Sequence, residues 1–193
     1  MSFFTHALEF LLRTLFDLAI FSFMSRFILQ LVKADLYNPL SQLVFKISNP
    51  FLMPLKGYIP STKRIDTACL LVITLLTLLK LTSIFLIQFH QLPHIGGLLV
   101  WTLGDIITAI VYFFFFALLA QILIHWINPR QRHPLNILLE QITAPLMKPV
   151  RRTLKPIGGY DLTPLPVLIS LQLFIMIIAA PLTHIGLAFA LRP

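Results

Sequence analysis

The sequence predicts an all-α membrane protein: four transmembrane helices in two repeats of parallel orientation, each repeat with a short amphipathic helix that is interfacial or re-entrant. Three observations carry that prediction. Of 193 residues, 58% are hydrophobic and 11% charged, with mean hydropathy +0.88, so a soluble fold would leave too much apolar surface facing water. Four stretches are apolar for the roughly 20 residues that a helix needs to cross about 30 Å of hydrocarbon. A further segment recurs, ungapped, at an offset of 95 residues.

The first span covers about 8–32. It is not expected to be a cleavable signal peptide, because Met1 to Leu8 contains no Lys or Arg and no small-residue cleavage site follows a short apolar core. An amphipathic helix follows at about 39–49, where Leu40, Leu43, Val44 and Ile47 stand at i, i+3, i+4 and i+7. Asn38 suits its N-cap and Pro39 its first position, and Pro50 is expected to end it because the ring clashes with the preceding turn. At about ten residues such a helix is too short to span, so it lies on the cytoplasmic face or dips shallowly against the spans. The second span, about 67–89, completes the first repeat (1–97).

The third span, about 98–127, opens the second repeat (98–193), and its run from Phe113 to Phe116 suits packing against lipid and neighbouring helices. A second amphipathic helix at about 134–144 begins at Pro134, carries Leu135, Leu138, Leu139 and Ile142 at the same spacing, and is expected to end at Pro145. The fourth span is about 165–189. Segments such as CLLVITLLTLL and LISLQLFIMIIAA show none of the alternation of a membrane barrel strand.

Residues 39 to 66 align with 134 to 161: Pro39 with Pro134, Leu40 with Leu135, Leu43 with Leu138, Ile47 with Ile142, Pro50 with Pro145, Pro54 with Pro149 and Asp66 with Asp161. Seven identities in 28 positions exceed the roughly two expected by chance. An even number of crossings separates equivalent points, so the two copies share orientation about an axis along the membrane normal.

Eleven of the 15 Lys and Arg residues fall in the segments after the first and third spans, whereas the short connection from His90 to Gly97 has none. The positive-inside rule therefore places both basic segments in the cytoplasm and both termini on the opposite face. The net charge of +8 is first an address; no aromatic-interleaved platform accompanies it, so nucleic acid is not expected as a partner. Lys56, Lys148, Arg151, Arg152 and Lys155 follow the proline pairs, and near the membrane they either gather anionic headgroups, at about 1 kcal/mol each, or serve only to fix topology. Asp66 and Asp161 stand just before a span, placed to cap a helix or to bind a ligand.

The duplicated pattern of an apolar helix, Ser48 or Thr143, a Pro-x-x-x-Pro pair (Pro50 and Pro54; Pro145 and Pro149), basic residues and an Asp before a span resembles the YggT family over nearly the whole chain. DLYNPLSQLVFKISNPFLMPLKGYIP is similar to the first family unit and PLNILLEQITAPLMKPVRRTLKPIGGYDLTP to the second; Lys63 and Arg64 replace the glycines of the first unit, and Gln121 stands opposite Arg26. The resemblance implies a multi-pass protein of the bacterial inner membrane. Bacterial members are associated with osmotic and salt tolerance and with envelope or division processes, and plastid relatives with covalent haem attachment during cytochrome assembly. It thus implies an accessory protein that assists membrane-protein assembly, envelope organisation or stress tolerance, with a subunit of an ion channel or transporter in osmotic homeostasis as the alternative.

Ionisable residues at membrane depth are functional candidates by default. Lys80 lies 13 residues after Thr67 and Asp17 lies 15 before Val32, so at about 1.5 Å per residue their depths agree to roughly 3 Å. An Asp17–Lys80 pair either locks the first repeat or lines a polar pathway. Arg13 and Arg26 are expected to snorkel to the headgroups, Glu9 to pair with Arg13, and Asp105 either to mark a span end or to face the bundle. Cys69 cannot form an intrachain disulfide, and the six histidines lack ligand spacing, so no metal or cofactor is expected. No catalytic constellation can be picked out, and an enzyme is not expected. The expected partners are the lipid bilayer, with its anionic headgroups, and another membrane protein or a second copy of the chain.

Overall fold

The computed structural model describes residues 3–56, 66–127, 133–153 and 163–191, and among the described residues every regular element is a helix. In order these are α1 (Phe3–Leu31), α2 (Pro39–Lys56), α3 (Thr67–Phe89), α4 (Ile95–Ile127), α5 (Pro134–Thr153) and α6 (Pro164–Ala190). Within α6, Ile175–Ala179 form a π-helical turn. Helices α3, α4 and α6 are long and apolar enough to cross a membrane. Helix α1, at 29 residues and about 43 Å, has the length but carries Glu9, Arg13, Asp17 and Arg26.

The helix boundaries have local causes. Asp66 caps α3 by accepting from the Cys69 N–H at 3.2 Å, and His90 ends it in the left-handed region (φ 54°), its N–H donating to the Leu86 carbonyl at 3.0 Å. Helix α1 stops in a Schellman arrangement: Lys33 is left-handed (φ 54°), its N–H donates to Gln30 O at 3.2 Å, and the Ala34 N–H donates to Leu29 O at 2.8 Å. Asn38 then starts α2 by accepting from the Leu40 N–H at 3.0 Å, and His133 starts α5 by accepting at Nδ1 from the Leu135 N–H at 3.3 Å. The two helix starts touch, because Asn38 Nδ2 donates to Pro134 O at 2.7 Å and the Asp35 N–H donates to Gln141 Oε1 at 2.9 Å.

Helices α2 and α5 do not end at Pro50 and Pro145 as local sequence rules predict; they run through both proline pairs to Lys56 and Thr153. The four prolines all lie on the exposed side, so the missing hydrogen bonds and the ring clash fall on the outward face. The inward stripe of Ser41, Ser48 and Leu52 in α2, and of Ile142, Thr143 and Met147 in α5, stays buried across the proline positions and keeps the helix docked. At 18 and 20 residues these helices are no longer too short to span; polar content sets them apart from α3, α4 and α6, through Gln42, Lys46, Ser48 and Asn49 in α2 and Asn136, Glu140, Gln141, Lys148, Arg151 and Arg152 in α5. Leu43 and Ile47, half of the α2 apolar stripe, are each 53% exposed and point away from the bundle.

The main core lies where α1, α2 and α3 meet α4 and α5, around Met24, Ile28, Leu52, Ile73 and Leu139. Cys69 is fully buried there, its thiol donating to Phe23 O at 3.2 Å. Helices α4 and α6 pack backbone to backbone. A Cβ added at Gly97 would lie 2.1 Å from the Ala190 nitrogen, and one at Gly186 would lie 2.3 Å from the Trp101 nitrogen, so only glycine permits the approach.

Candidate functional site

Two polar sites interrupt this apolar bundle. In the first, Lys80 on α3 is buried and its ammonium donates both to Asp17 Oδ1 on α1 at 2.9 Å and to Asp105 Oδ2 on α4 at 2.5 Å. The depths agree for a simple reason: Lys80 stands nine residues before Phe89 and Asp105 ten after Ile95, about 14 and 15 Å from the short α3–α4 connection. The sequence brought Asp17 and Lys80 to one depth; counting outward from that connection would have found Asp105 as well. One ammonium faces two carboxylates, so the formal charge is +1 − 2 = −1. The Asp17 side chain is 52% exposed, against 7% for Lys80. Nearer the same end, Glu9 accepts from Arg13 Nη2 at 3.3 Å and from Gln88 Nε2 at 2.9 Å.

The second site is built on Arg26. Its side chain does not snorkel outward: the residue is 3% exposed, wedged between α1, α2 and the start of α3. Nη1 donates to Ser48 Oγ at 2.8 Å and Asn49 Oδ1 at 2.7 Å, the guanidinium carbon lies 4.8 Å from the centre of the Phe45 ring, and Nε is 3.7 Å from Asp66 Oδ2. Ser48 in turn donates to Val44 O at 2.7 Å. A delocalised cation that is weakly hydrated and can donate in several directions is the side chain suited to such a place. The carboxylate that caps α3 is thereby held against α1, so Asp66 ties the two helices together.

Ninety-five residues on, the same positions meet again with different chemistry. Thr143, opposite Ser48, has its Oγ1 2.6 Å from Gln121 Oε1 and 2.8 Å from Leu139 O, as Ser48 has Arg26 and Val44 O. Gln121 is shorter than Arg26 and uncharged. Beside it opens a cavity of about 250 Å³ lined by Gln121, Glu140, Thr143, Ala144, Lys148 and Arg151 along with Met147. Glu140 and Ala144 take the positions of Phe45 and Asn49, the residues that grip the guanidinium in the first half.

The family model for CCB3/YggT matches residues 5–89 and again 100–182, two segments whose starts are 95 residues apart. The chain belongs to the CCB3/YggT family. It is 35% identical over 173 residues to an uncharacterized protein, PA0392, of Pseudomonas aeruginosa, covering 88% of this chain and 86% of that one. It is 32% identical over 182 residues to the uncharacterized protein YggT of Escherichia coli K12, covering 94% of each, and 35% identical over 168 residues to an uncharacterized protein of Vibrio alginolyticus, covering 86% and 90%. No solved structure matches the chain.

Of the family-pattern residues, Pro39 and Pro134 open their helices, and Pro50, Pro54, Pro145 and Pro149 lie inside them. Lys148, Arg151 and Arg152 are exposed along α5. Lys155, Asp161 and the Lys56 side chain lie outside the described residues. The buried role of Arg26, and the roles of Asn49 and Glu140, were missed in the sequence. The signal was the pairing of Arg26 with Gln121 at the repeat offset, which marks one slot filled by two unlike side chains.

Proposed function

We propose that this CCB3/YggT member is a non-enzymatic accessory protein of the bacterial inner membrane, assisting membrane-protein assembly, envelope organisation or osmotic and salt tolerance. Four helices cross the bilayer, α1 included, in halves 1–97 and 98–193 of shared orientation, with the basic segments cytoplasmic and both termini on the opposite face. Arg26 in α1, once neutralised by Asp66, is a bearable charge at the cytoplasmic end of such a span. The observation that carries the reading is α2: a helix pinned from below by a buried guanidinium, whose outward stripe of Leu43, Ile47 and Phe51 is 53%, 53% and 64% exposed. A rigidly held apolar face at the membrane surface offers a docking edge for another membrane protein.

The test is photo-crosslinking from positions 43 and 51 in intact membranes, followed by mild-detergent purification. A stoichiometric hetero-partner supports the accessory reading; a pure homo-oligomer that passes ions in liposomes overturns it. The latter result would favour a second reading, a subunit of an osmotic channel or transporter, for which the negative, half-exposed Asp17–Lys80–Asp105 cluster is the motivating feature.

A further inference from the structure

The slot that Arg26 fills in the first half stays open in the second, and its walls carry unlike charges in a fixed order. Glu140 and Lys148 are eight residues apart on the same face of α5, about 12 Å along the axis, too far to pair with each other. Thr143 and Ala144 lie between them, Gln121 closes the slot from α4, and Arg151 stands one turn beyond Lys148. In the first half the equivalent position holds a cation, the Arg26 guanidinium, against Phe45, Ser48 and Asn49. In the second half a carboxylate replaces the aromatic ring, so the wall remains one that favours a cation. Two basic side chains at the far end favour a phosphate.

We infer that this cavity binds the headgroup of an ethanolamine phospholipid, its ammonium on Glu140 and its phosphate on Lys148 and Arg151. Two methylene groups and an ester oxygen hold nitrogen and phosphorus about 5 Å apart in that headgroup, and the lengths of the Glu140 and Lys148 side chains cover the rest of the distance between their positions on α5. The inference rests on the cytoplasmic placement of the basic segments proposed above, with α5 at the membrane surface as α2 is. It goes beyond general attraction of basic residues for lipid, because an acidic residue takes part and because a zwitterionic headgroup is selected over an anionic one. Glu140 forms no ion pair among the described residues, so its carboxylate is available to an incoming ammonium.

The test is native mass spectrometry of the full-length protein in mild detergent, titrated with phosphatidylethanolamine, phosphatidylglycerol or phosphatidylcholine. Wild type should retain the ethanolamine lipid about tenfold better than the other two, since it alone brings an ammonium that both donates to Glu140 and neutralises it. Glu140→Gln should erase that preference. Lys148→Ala with Arg151→Ala should weaken all three lipids. Gln121→Arg places a guanidinium in the slot, as Arg26 does in the first half, and should expel the lipid from a protein that still folds; unchanged retention there would overturn the site. So would equal binding of phosphatidylglycerol, or an ethanolamine preference that survives Glu140→Gln. Soluble phosphoethanolamine should displace the lipid where inorganic phosphate at the same concentration does not; equal displacement by both would reduce the slot to a phosphate site and sink the proposal. Crosslinking from α2, run in parallel, reads the accessory function independently, so a lost lipid preference with the partner retained refutes the site alone.

Discussion

Replacing Lys80 by methionine tests the buried cluster most directly, because the structure sets an order of severity among the variants. Lys80→Met changes the local charge from −1 to −2 and leaves Asp17 and Asp105 without their shared ammonium. An uncompensated carboxylate near the middle of a span costs about 2.5–3.5 kcal/mol, and breaking a buried pair about 3–5, so a loss of about 3–5 kcal/mol follows once the exposure of Asp17 is allowed for. Asp17→Leu should be mild, below about 1 kcal/mol, since the closer Lys80–Asp105 contact survives and the site becomes neutral. The double variant Asp17→Leu, Lys80→Met strands Asp105 and should remain about 2–3 kcal/mol below wild type. Adding Asp105→Leu removes the last charge and should return stability to within about 1 kcal/mol, as apolar replacement of a whole buried ionic group often does. The assay is reversible unfolding in mixed micelles, followed by tryptophan fluorescence. If the double variant recovers as fully as the triple, Asp105 is not a partner of Lys80; if Asp17→Leu is as severe as Lys80→Met, the order itself is wrong.

Arg26→Met should cost about 3–5 kcal/mol by removing the buried guanidinium that binds Ser48 and Asn49 and faces Asp66, whereas Arg26→Gln, which keeps a donor for Ser48, should cost measurably less in the same unfolding assay. Gly186→Ala should destabilise by about 1–3 kcal/mol or more, because the new methyl lands on the α4 backbone, while Gly96→Ala, with only the His94 side chain at 3.4 Å, should be neutral or better; thermal melting compares the two. Lys33→Gly should add about 0.5–1 kcal/mol by relieving the left-handed residue at the end of α1, detectable as a raised denaturation midpoint. His133→Asn should strengthen the start of α5 by a few tenths of a kcal/mol to about 1 and slow hydrogen exchange in its first turn.

How far the sequence was readable depended on what each residue had for a neighbour. The bounds of α3 were legible to the residue because their causes, an aspartate cap and a change from apolar to polar composition, are local. The ends of α2 and α5 were not, because the rule that proline stops a helix ignores a docked inner face that continues beneath it. The apolar periodicity of Leu40, Leu43, Val44 and Ile47 was real but ambiguous in direction: it shows which face avoids water and not whether protein or lipid covers it. The depths of Asp17 and Lys80 followed from counting, since helical rise is nearly constant. Arg26 was misplaced because a basic residue near a span end is usually free to reach water, and only the three-dimensional meeting with Ser48, Asn49 and Asp66 removes that freedom. The second-half cavity left one mark in the sequence, Gln121 opposite Arg26, since it exists through a side chain being shorter than its counterpart.

Two helix pairs of the bundle, α1 with α3 and α4 with α6, differ in what is added to their apolar packing. Helices α1 and α3 share the apolar core and add to it the Asp17–Lys80 ion pair, whose attraction weakens as the local dielectric rises; α4 and α6 are fitted at van der Waals contact through Gly97 and Gly186, which no change of dielectric alters. Asp17, half exposed, is the member of that ion pair which solvent reaches first. Water there weakens the ion pair and leaves the apolar seams of both helix pairs in place, so Asp17–Lys80 tunes how firmly α1 sits without deciding whether it stays.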